Sequence, residues 1–152
     1  MKAKLLTVIL FTVILVGVSG ICYSQDEDVY DEGTVWTLTF IRTGANVADD
    51  YLKDLTKTWK ASMEEGVKAG LIKSYKVLLG PAANEDDFNI VLMMENENMA
   101  AFDPDPERDA KWDAINKKVE ESMKGEFDTV VKNYENIRQL YGTKYMREIY
   151  LK

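Results

Sequence analysis

Four segments of the chain carry the alternating apolar and polar positions, or the β-branched and aromatic residues, that favour β-strands. The predicted strands are residues 34–42, 71–79, 87–95 and 143–151. Only a short glycine- and proline-containing break separates the second strand from the third, which predicts an antiparallel hairpin. We expect one face of the first and third strands to pack on helices. The residues expected on that face are Trp36, Leu38, Phe40, Phe88, Ile90 and Leu92.

Two longer segments show the spacing of amphipathic helices, with apolar residues three or four positions apart. Residues 47–69 form the first helix, with Asn46 as its N-cap. The second covers residues 106–141, begins behind an Asp105 cap, and is interrupted at Gly125, where a kink or a division into two helices is expected. The order β-α-β-β-α-β predicts an α+β protein with the ferredoxin-like fold, a four-stranded antiparallel sheet with both helices on one face.

The N-terminal segment has the pattern of an export signal. In residues 1–24, two lysines precede an uncharged apolar run at positions 5–18, and small residues follow, as in secretory signal peptides. Cleavage after residue 24 would export the protein to the periplasm or the medium, and an uncleaved membrane anchor is the alternative. Cys22 is a candidate for lipidation, and the acid-rich residues 25–33 are predicted to form a solvated leader. One domain, residues 34–152, follows.

Composition excludes several classes of function. The chain has no histidine, and its one cysteine lies in the predicted signal, so histidine bases, Ser-His-Asp systems and His- or Cys-ligated metal and haem sites are excluded. The net charge of −7 becomes −9 without the two lysines of the signal, which disfavours nucleic acid and stable membrane association after cleavage. The acidic residues 103–109 fit helix capping better than a calcium loop, which needs a glycine and a glutamate that are missing there. No cofactor and no metal is expected.

Five stretches of the sequence resemble the dimeric α/β-barrel superfamily and, more narrowly, a group of small exported bacterial proteins within it. In that superfamily, two ferredoxin-like subunits place their sheets face to face. The stretches are VWTLTFIRT (35–43), YLKDLTKTWK (51–60), SYKVLLGPAAN (74–84), FNIVLMMENENMAAFD (88–103) and YGTKYMREIYLK (141–152). The resemblance implies a homodimer in which a second subunit covers the sheet face opposite the helices. That face is predicted to be partly apolar, as an interface requires.

The space between two facing sheets is then the expected cavity for a small-molecule ligand, because binding pockets are mostly apolar with a few placed polar groups. Arg147 and Glu148 are neighbours in the last strand, so one of them faces this space. A charged side chain there needs a partner, and Lys76 or Glu95 could supply it. The candidate ligand-binding residues are Thr37, Thr39, Lys76, Asn89, Met93, Arg147 and Glu148.

The sequence leaves three functions open. The first is an exported protein that binds a small, mostly apolar molecule between its two sheets. The second, implied by relatives in the superfamily, is a cofactor-independent monooxygenase or isomerase acting on a small aromatic or quinol-like compound. Asn89, Trp59 and Arg42 are the residues from which such a site could be built, although helical spacing favours Trp59 as a core residue. The third is a structural dimerisation module.

Overall fold

The computed structural model describes residues 28–152. The predicted signal peptide, its cleavage and the lipidation of Cys22 concern residues outside this range. The strands are β1 (Tyr30–Thr43), β2 (Ser74–Leu79), β3 (Ile90–Asn96) and β4 (Arg138–Leu151). The helices are α1 (Ala48–Leu55), α2 (Ala61–Lys68), α3 (Pro106–Ser122) and α4 (Phe127–Ile137), with a π-helical turn (Thr56–Lys60) between α1 and α2 and a 3₁₀ turn at Met99–Phe102.

The four strands form one antiparallel sheet in the order β2-β3-β1-β4. The core joins Ile41 and Leu92 of this sheet to Tyr51 of α1 and Val130 of α4, so the helices cover a single face. This order and layering confirm the predicted α+β class and the ferredoxin-like fold. The predicted hairpin of β2 and β3 is also confirmed. Within residues 28–152, no helix combines the length and the apolar character that crossing a bilayer requires.

The face of β1 that meets the helices is the opposite of the predicted one. Register pairs Ile41 with Ile90, and both side chains are fully buried under the helices. Paired residues share a face and neighbours alternate, so the prediction is right for Ile90 and Leu92 but wrong for β1. The alternation of side chains could not decide which face of β1 packs on the helices, because both faces carry apolar residues. The wrongly placed residues are Trp36, Leu38, Phe40 and Phe88, whose ring packs 4.7 Å from that of Phe40.

The segment predicted as one helix over residues 106–141 is two helices and the start of a strand. Lys124 and Gly125 have φ of 50° and 88°, left-handed values that end α3, so the expected interruption at Gly125 is confirmed. The chain then passes directly from α4 into β4 at Arg138. Residues 138–141, predicted as helical, belong to the sheet because Arg138, Gln139 and Leu140 pair with β1, which satisfies their backbone groups.

The N-terminal strand is longer than predicted. Tyr30 pairs with Leu151 and Glu32 with Ile149, so residues 30–33, predicted to be solvated leader, extend β1. The prediction is wrong there because β4 continues far enough to pair with them.

Two predicted helix caps have different outcomes. Asp105 is confirmed as the N-cap of α3, since its carboxylate accepts from the backbone N–H groups of Glu107 and Arg108 at 3.0 and 3.1 Å. Asn46 is not a cap: it has φ of 65°, and Val47 begins α1 with no side-chain capping bond. The left-handed conformation that asparagine tolerates in turns explains its presence.

The contact between α2 and α3 provides a test of the packing. A Cβ on Gly66 would lie 2.5 Å from Cη2 of Trp112. We expect Gly66→Ala to destabilise the fold by about 1–2 kcal/mol, although alanine favours helix over glycine by about 1 kcal/mol, because the indole must leave its packed position. Urea unfolding measures this loss, and combination with Trp112→Leu should cost less than the sum of the two changes.

Gly80→Ala is the matched control, because no atom lies within 4 Å of a Cβ added at Gly80. A Gly66→Ala variant as stable as the unchanged chain would show that this interhelical contact is not as close as described.

Candidate functional site

The sheet face opposite the helices, hereafter the open face, is mostly apolar. Leu78 and Met146 are the most exposed of its large side chains, at 53% and 54%. An apolar surface of this extent marks an interface or a binding site more often than bare solvent-facing sheet. The apolar residues that share the open face by register are Trp36, Leu38, Phe40, Leu78, Val91, Met93 and Met146.

A polar cluster lies at one end of the open face. The hydroxyl of Ser74 donates to Glu95, and the hydroxyl of Thr34 donates to Glu95 at 2.9 Å and approaches Glu148 at 3.3 Å. The bond from Ser74, followed by that from Thr34, holds the pKa of the Glu95 carboxyl below its usual range. Lys76 lies beside this cluster with its ammonium 4.6 Å from the ring centre of Trp36, a cation–π contact.

The structure brings three of the predicted ligand-binding residues to the open face. Lys76 and Met93 are register partners, and Glu148 belongs to the polar cluster. Thr37 and Thr39 lie on the helix-covered side instead, and their predicted place between two sheets is wrong. Side chains alternate along β1, so the two threonines point away from Trp36, Leu38 and Phe40, as predicted. The threonine side of the strand, however, is the side that the helices cover.

The remaining two predictions concern side chains that are engaged locally. Asn89 accepts from the backbone N–H of Thr43 at 2.9 Å and donates to the Thr43 hydroxyl at 2.8 Å. Arg147 pairs with Glu32 of the neighbouring strand and not with Glu95, the acidic partner considered for it. The contacts of Asn89 and Arg147 therefore link each of them to strand β1. A role of any of the seven residues in ligand binding stays a prediction.

The residues considered for an oxygenase site are not assembled. Arg42 donates two 2.7 Å bonds to the backbone oxygens of Asn84 and Asp87, and Asn89 is engaged by Thr43 as described. Trp59 lies under the helices, 5.6 Å from the ring of Tyr75 in an edge-on contact. The described contacts of Trp59 are therefore separate from those of Arg42 and Asn89.

A second concave site, which the sequence did not predict, lies between the helices and the sheet. This helix cleft has a volume of about 330 Å³, at the lower end of the range for ligand pockets. The π-helical turn opens its wall, and π-helical turns recur at functional sites. The cleft is lined by Leu55, Thr58, Trp59, Ser62, Met63, Leu92, Asn116, Val119, Phe127, Val131, Tyr134 and Arg138.

Arg138 places a cation at the wall of this mostly apolar cleft. Its guanidinium lies 4.5 Å from the ring centre of Tyr134 and 5.6 Å from that of Tyr51, and it donates to the Tyr51 hydroxyl at 2.9 Å. Among the described side chains, no carboxylate lies within ion-pair distance of it. A guanidinium has five N–H donors, so donors remain for a ligand.

The two tyrosines beside Arg138 are neutral hydrogen-bonding groups. Burial raises the pKa of Tyr51, against the lowering effect of Arg138. Burial likewise raises the pKa of Tyr134, whose hydroxyl shares a hydrogen bond with that of Thr58. Both phenols therefore stay protonated at neutral pH, and Asp54 and Arg138 are both close enough to affect the pKa of Tyr134.

The sequence held only a weak signal of the helix cleft. Thr58, Tyr134 and Arg138 come from the π-helical turn, α4 and β4, and nothing in their spacing joins them. Arg138 fell within a predicted helix, where it would be an ordinary charged position. The change from helix to strand at Arg138 turns it toward the two tyrosines. Within residues 28–152, no three carboxylate, cysteine or histidine side chains are grouped so that they could hold a metal ion.

Comparison with known proteins gives one structural similarity. No protein-family model matches the chain, and no curated protein matches it significantly. A crystal structure of a dimeric ferredoxin-like protein from an uncultured marine organism is similar with 15% sequence identity and a TM-score of 0.43, over 80% of this chain and 90% of that one.

The raised pKa values of Tyr51 and Tyr134 predict a loss of stability in alkali. An unfolded tyrosine ionises near pH 10, and the folded ones at higher pH. Protonated tyrosine is thus favoured by folding, and the free energy of unfolding falls as pH rises above about 10. Tyr134→Phe should cost about 1 kcal/mol at pH 8 through the lost bond to Thr58, with a shallower decline above pH 10.

Urea unfolding of both proteins between pH 8 and pH 11 measures this difference. Parallel declines for the unchanged chain and Tyr134→Phe would contradict the assignment of the pH dependence to Tyr134.

Proposed function

We propose that this protein binds a small, mostly apolar molecule with an anionic end in the helix cleft. The observation that carries the proposal is the position of Arg138, a cation lining a mostly apolar cleft and lacking a carboxylate partner among the described side chains. Guanidinium binds carboxylates strongly because its parallel N–H groups match the two oxygens. The apolar lining supplies burial for the rest of the ligand.

The volume of the cleft limits the ligand to a small molecule. About 330 Å³ is the volume of roughly ten water molecules, so a ligand of roughly ten non-hydrogen atoms fits. A medium-chain carboxylic acid or a one- or two-ring aromatic acid has this size and this polarity. Thr58, Tyr134 and Asn116 offer polar atoms that would orient such a ligand.

The protein acts as a homodimer in this proposal, with the open faces of two copies against each other. The support is the apolar character of the open face, where Met146 and Leu78 are exposed by more than half. The space between two open faces stays a second ligand location, in which Lys76 and Met93 would take part. Its supporting observation is the Lys76–Trp36 cation–π contact on an otherwise apolar surface.

Calorimetry with octanoate as probe, and octan-1-ol as uncharged control, tests the helix-cleft proposal. We expect octanoate to bind and Arg138→Met to weaken it at least tenfold, since the charge-assisted bonds are worth about 1.5–3 kcal/mol. Val131→Trp should block the cleft, because Val131 lines it and is 41% exposed, which leaves room for the ring without disturbing the core.

Arg108→Met is the matched control, because Arg108 lies at the start of α3, bonded to the backbone oxygen of Asp103. Octanoate binding that survives both Arg138→Met and Val131→Trp would move the ligand site elsewhere. Loss of that binding in Lys76→Met instead would place it on the open face.

Export is the remaining part of the proposal, and it rests on the charge and apolar pattern of residues 1–24. Expressed with its N-terminus in a bacterial host, the protein should appear in the periplasmic fraction with the intact mass of residues 25–152. Recovery of the full-length mass in the membrane fraction would identify an uncleaved anchor. A mass increased by acyl chains at Cys22 would identify a lipoprotein.

A further inference from the structure

Strands β1 and β4 extend past the rest of the sheet as a two-stranded arm, residues 29–33 and 148–152. Strand β3 pairs with β1 only from Val35 onward, whereas β4 pairs with β1 as far as Tyr30 and Leu151. The arm is therefore flanked by neither β3 nor β2. A two-stranded ribbon standing alone in water is only marginally stable, so its length calls for a covering surface.

Both faces of the arm are apolar and exposed. Tyr30 and Leu151 pair on one face with Ile149 beside them, while Tyr150 lies on the other face opposite Asp31. A ribbon that is apolar on both faces fits burial on both faces, as in a contact that wraps around a partner. The exposed fractions are 72% for Val29, 40% for Tyr30, 46% for Ile149, 55% for Tyr150 and 80% for Leu151.

Three charges of the arm, those of Asp31, Glu32 and Lys152, are paired between β1 and β4. Arg147 pairs with Glu32, and Lys152 pairs with Asp31 at 3.1 Å; the backbone N–H of Lys152 also donates to the oxygen of Val29. These contacts join the two strands at both ends of the ribbon. They leave the apolar side chains, rather than a charged patch, to select what the arm binds.

We propose that the arm clasps a second copy of this chain. The inference rests on the proposed homodimer and names the contact that completes it. Alternation along β4 places Met146, Glu148 and Tyr150 on one face, so the open face runs without a break into the arm. A partner on the open face therefore reaches Tyr150 directly, and it covers Ile149 and Leu151 on the other side where the arm wraps around it.

The area of the interface supports a second copy as the occupant. The aromatic side chains of the open face are already half-buried within one subunit, so the area that they can add to an interface is limited. The five apolar side chains of the arm leave on the order of 100 Å² exposed each, or roughly 500 Å² per subunit, against about 800 Å² per subunit in a standard-size interface. A two-fold dimer uses the arm twice, once from each copy.

The test is sedimentation equilibrium of the protein produced from the full-length chain and purified as its host processes it. We expect a dimer whose dissociation constant rises about 100-fold or more in the double variant Ile149→Asp, Leu151→Asp, because four buried apolar side chains per dimer are lost. Val67→Asp is the control, since Val67 is 38% exposed and belongs to α2, in the helical layer on the side opposite the open face. Circular dichroism of each variant checks that the fold is retained.

The variant Met146→Asp tests the open-face contact independently of the arm contact. A dimer broken by Met146→Asp but unchanged by the double variant would overturn the arm contact and keep the open-face interface. An unchanged chain that stays monomeric at 100 μM would overturn the homodimer and the arm together. Should the double variant lose its fold, removal of residues 149–152 gives the same test without introducing buried charge.

Discussion

Strand β1 has apolar side chains on both of its faces, and the rest of the structure depends on that constraint. One face carries Val35 and Ile41, fully buried beneath the helices, and the other carries Trp36, Leu38 and Phe40. A central strand with two apolar faces needs a layer on each side. The helices supply one layer, and no second layer is present among residues 28–152. The proposed homodimer would supply it.

The same constraint decides where a ligand can bind within one subunit. The larger side chains of β1 point to the open face, and threonines Thr37 and Thr39 point toward the helices with valine and isoleucine at the ends. On this side of the sheet, Leu92 of β3 and Arg138 of β4 line the helix cleft, and the π-helical turn adds Thr58 and Trp59 to its wall. The cleft keeps Arg138 over Tyr51 and Tyr134, a cation held by two rings rather than by a carboxylate among the described side chains.

Much of the fold could be predicted from the sequence, because each element has a local cause. The cap at Asp105, the break at Gly125 and the hairpin between β2 and β3 are signals within a few residues of chain. The face of β1 could not be predicted, since alternation is equally satisfied with either side inward. The beginning of β4 could not be predicted either, because apolar residues 140–141 continue the helical spacing and only pairing with β1 draws them into the sheet.

The candidate site was less accessible to sequence reasoning than the fold. Lys76, Met93 and Glu148 were placed on the correct face through their own strands, whereas Thr37 and Thr39 followed the error in β1. The helix cleft depends on side chains from three elements whose distances are set by packing, and a pattern along one segment contains no such information. Arg138 illustrates this, because the direction of its side chain depends on the change from helix to strand at that residue.

Strand β4 contributes residues both to the helix cleft, the proposed ligand site, and to the arm, the proposed dimer contact, at its two opposite ends. Arg138 is at its first residue and Tyr150 near its last, a separation of about 40 Å at 3.3 Å per residue. Energetic effects of changes more than about 10 Å apart are usually additive unless a shared element has two arrangements. A strand paired along its whole length with β1 offers no second arrangement. Ligand binding in the helix cleft and assembly through the open face and the arm should therefore act as independent properties, each selected by its own residues.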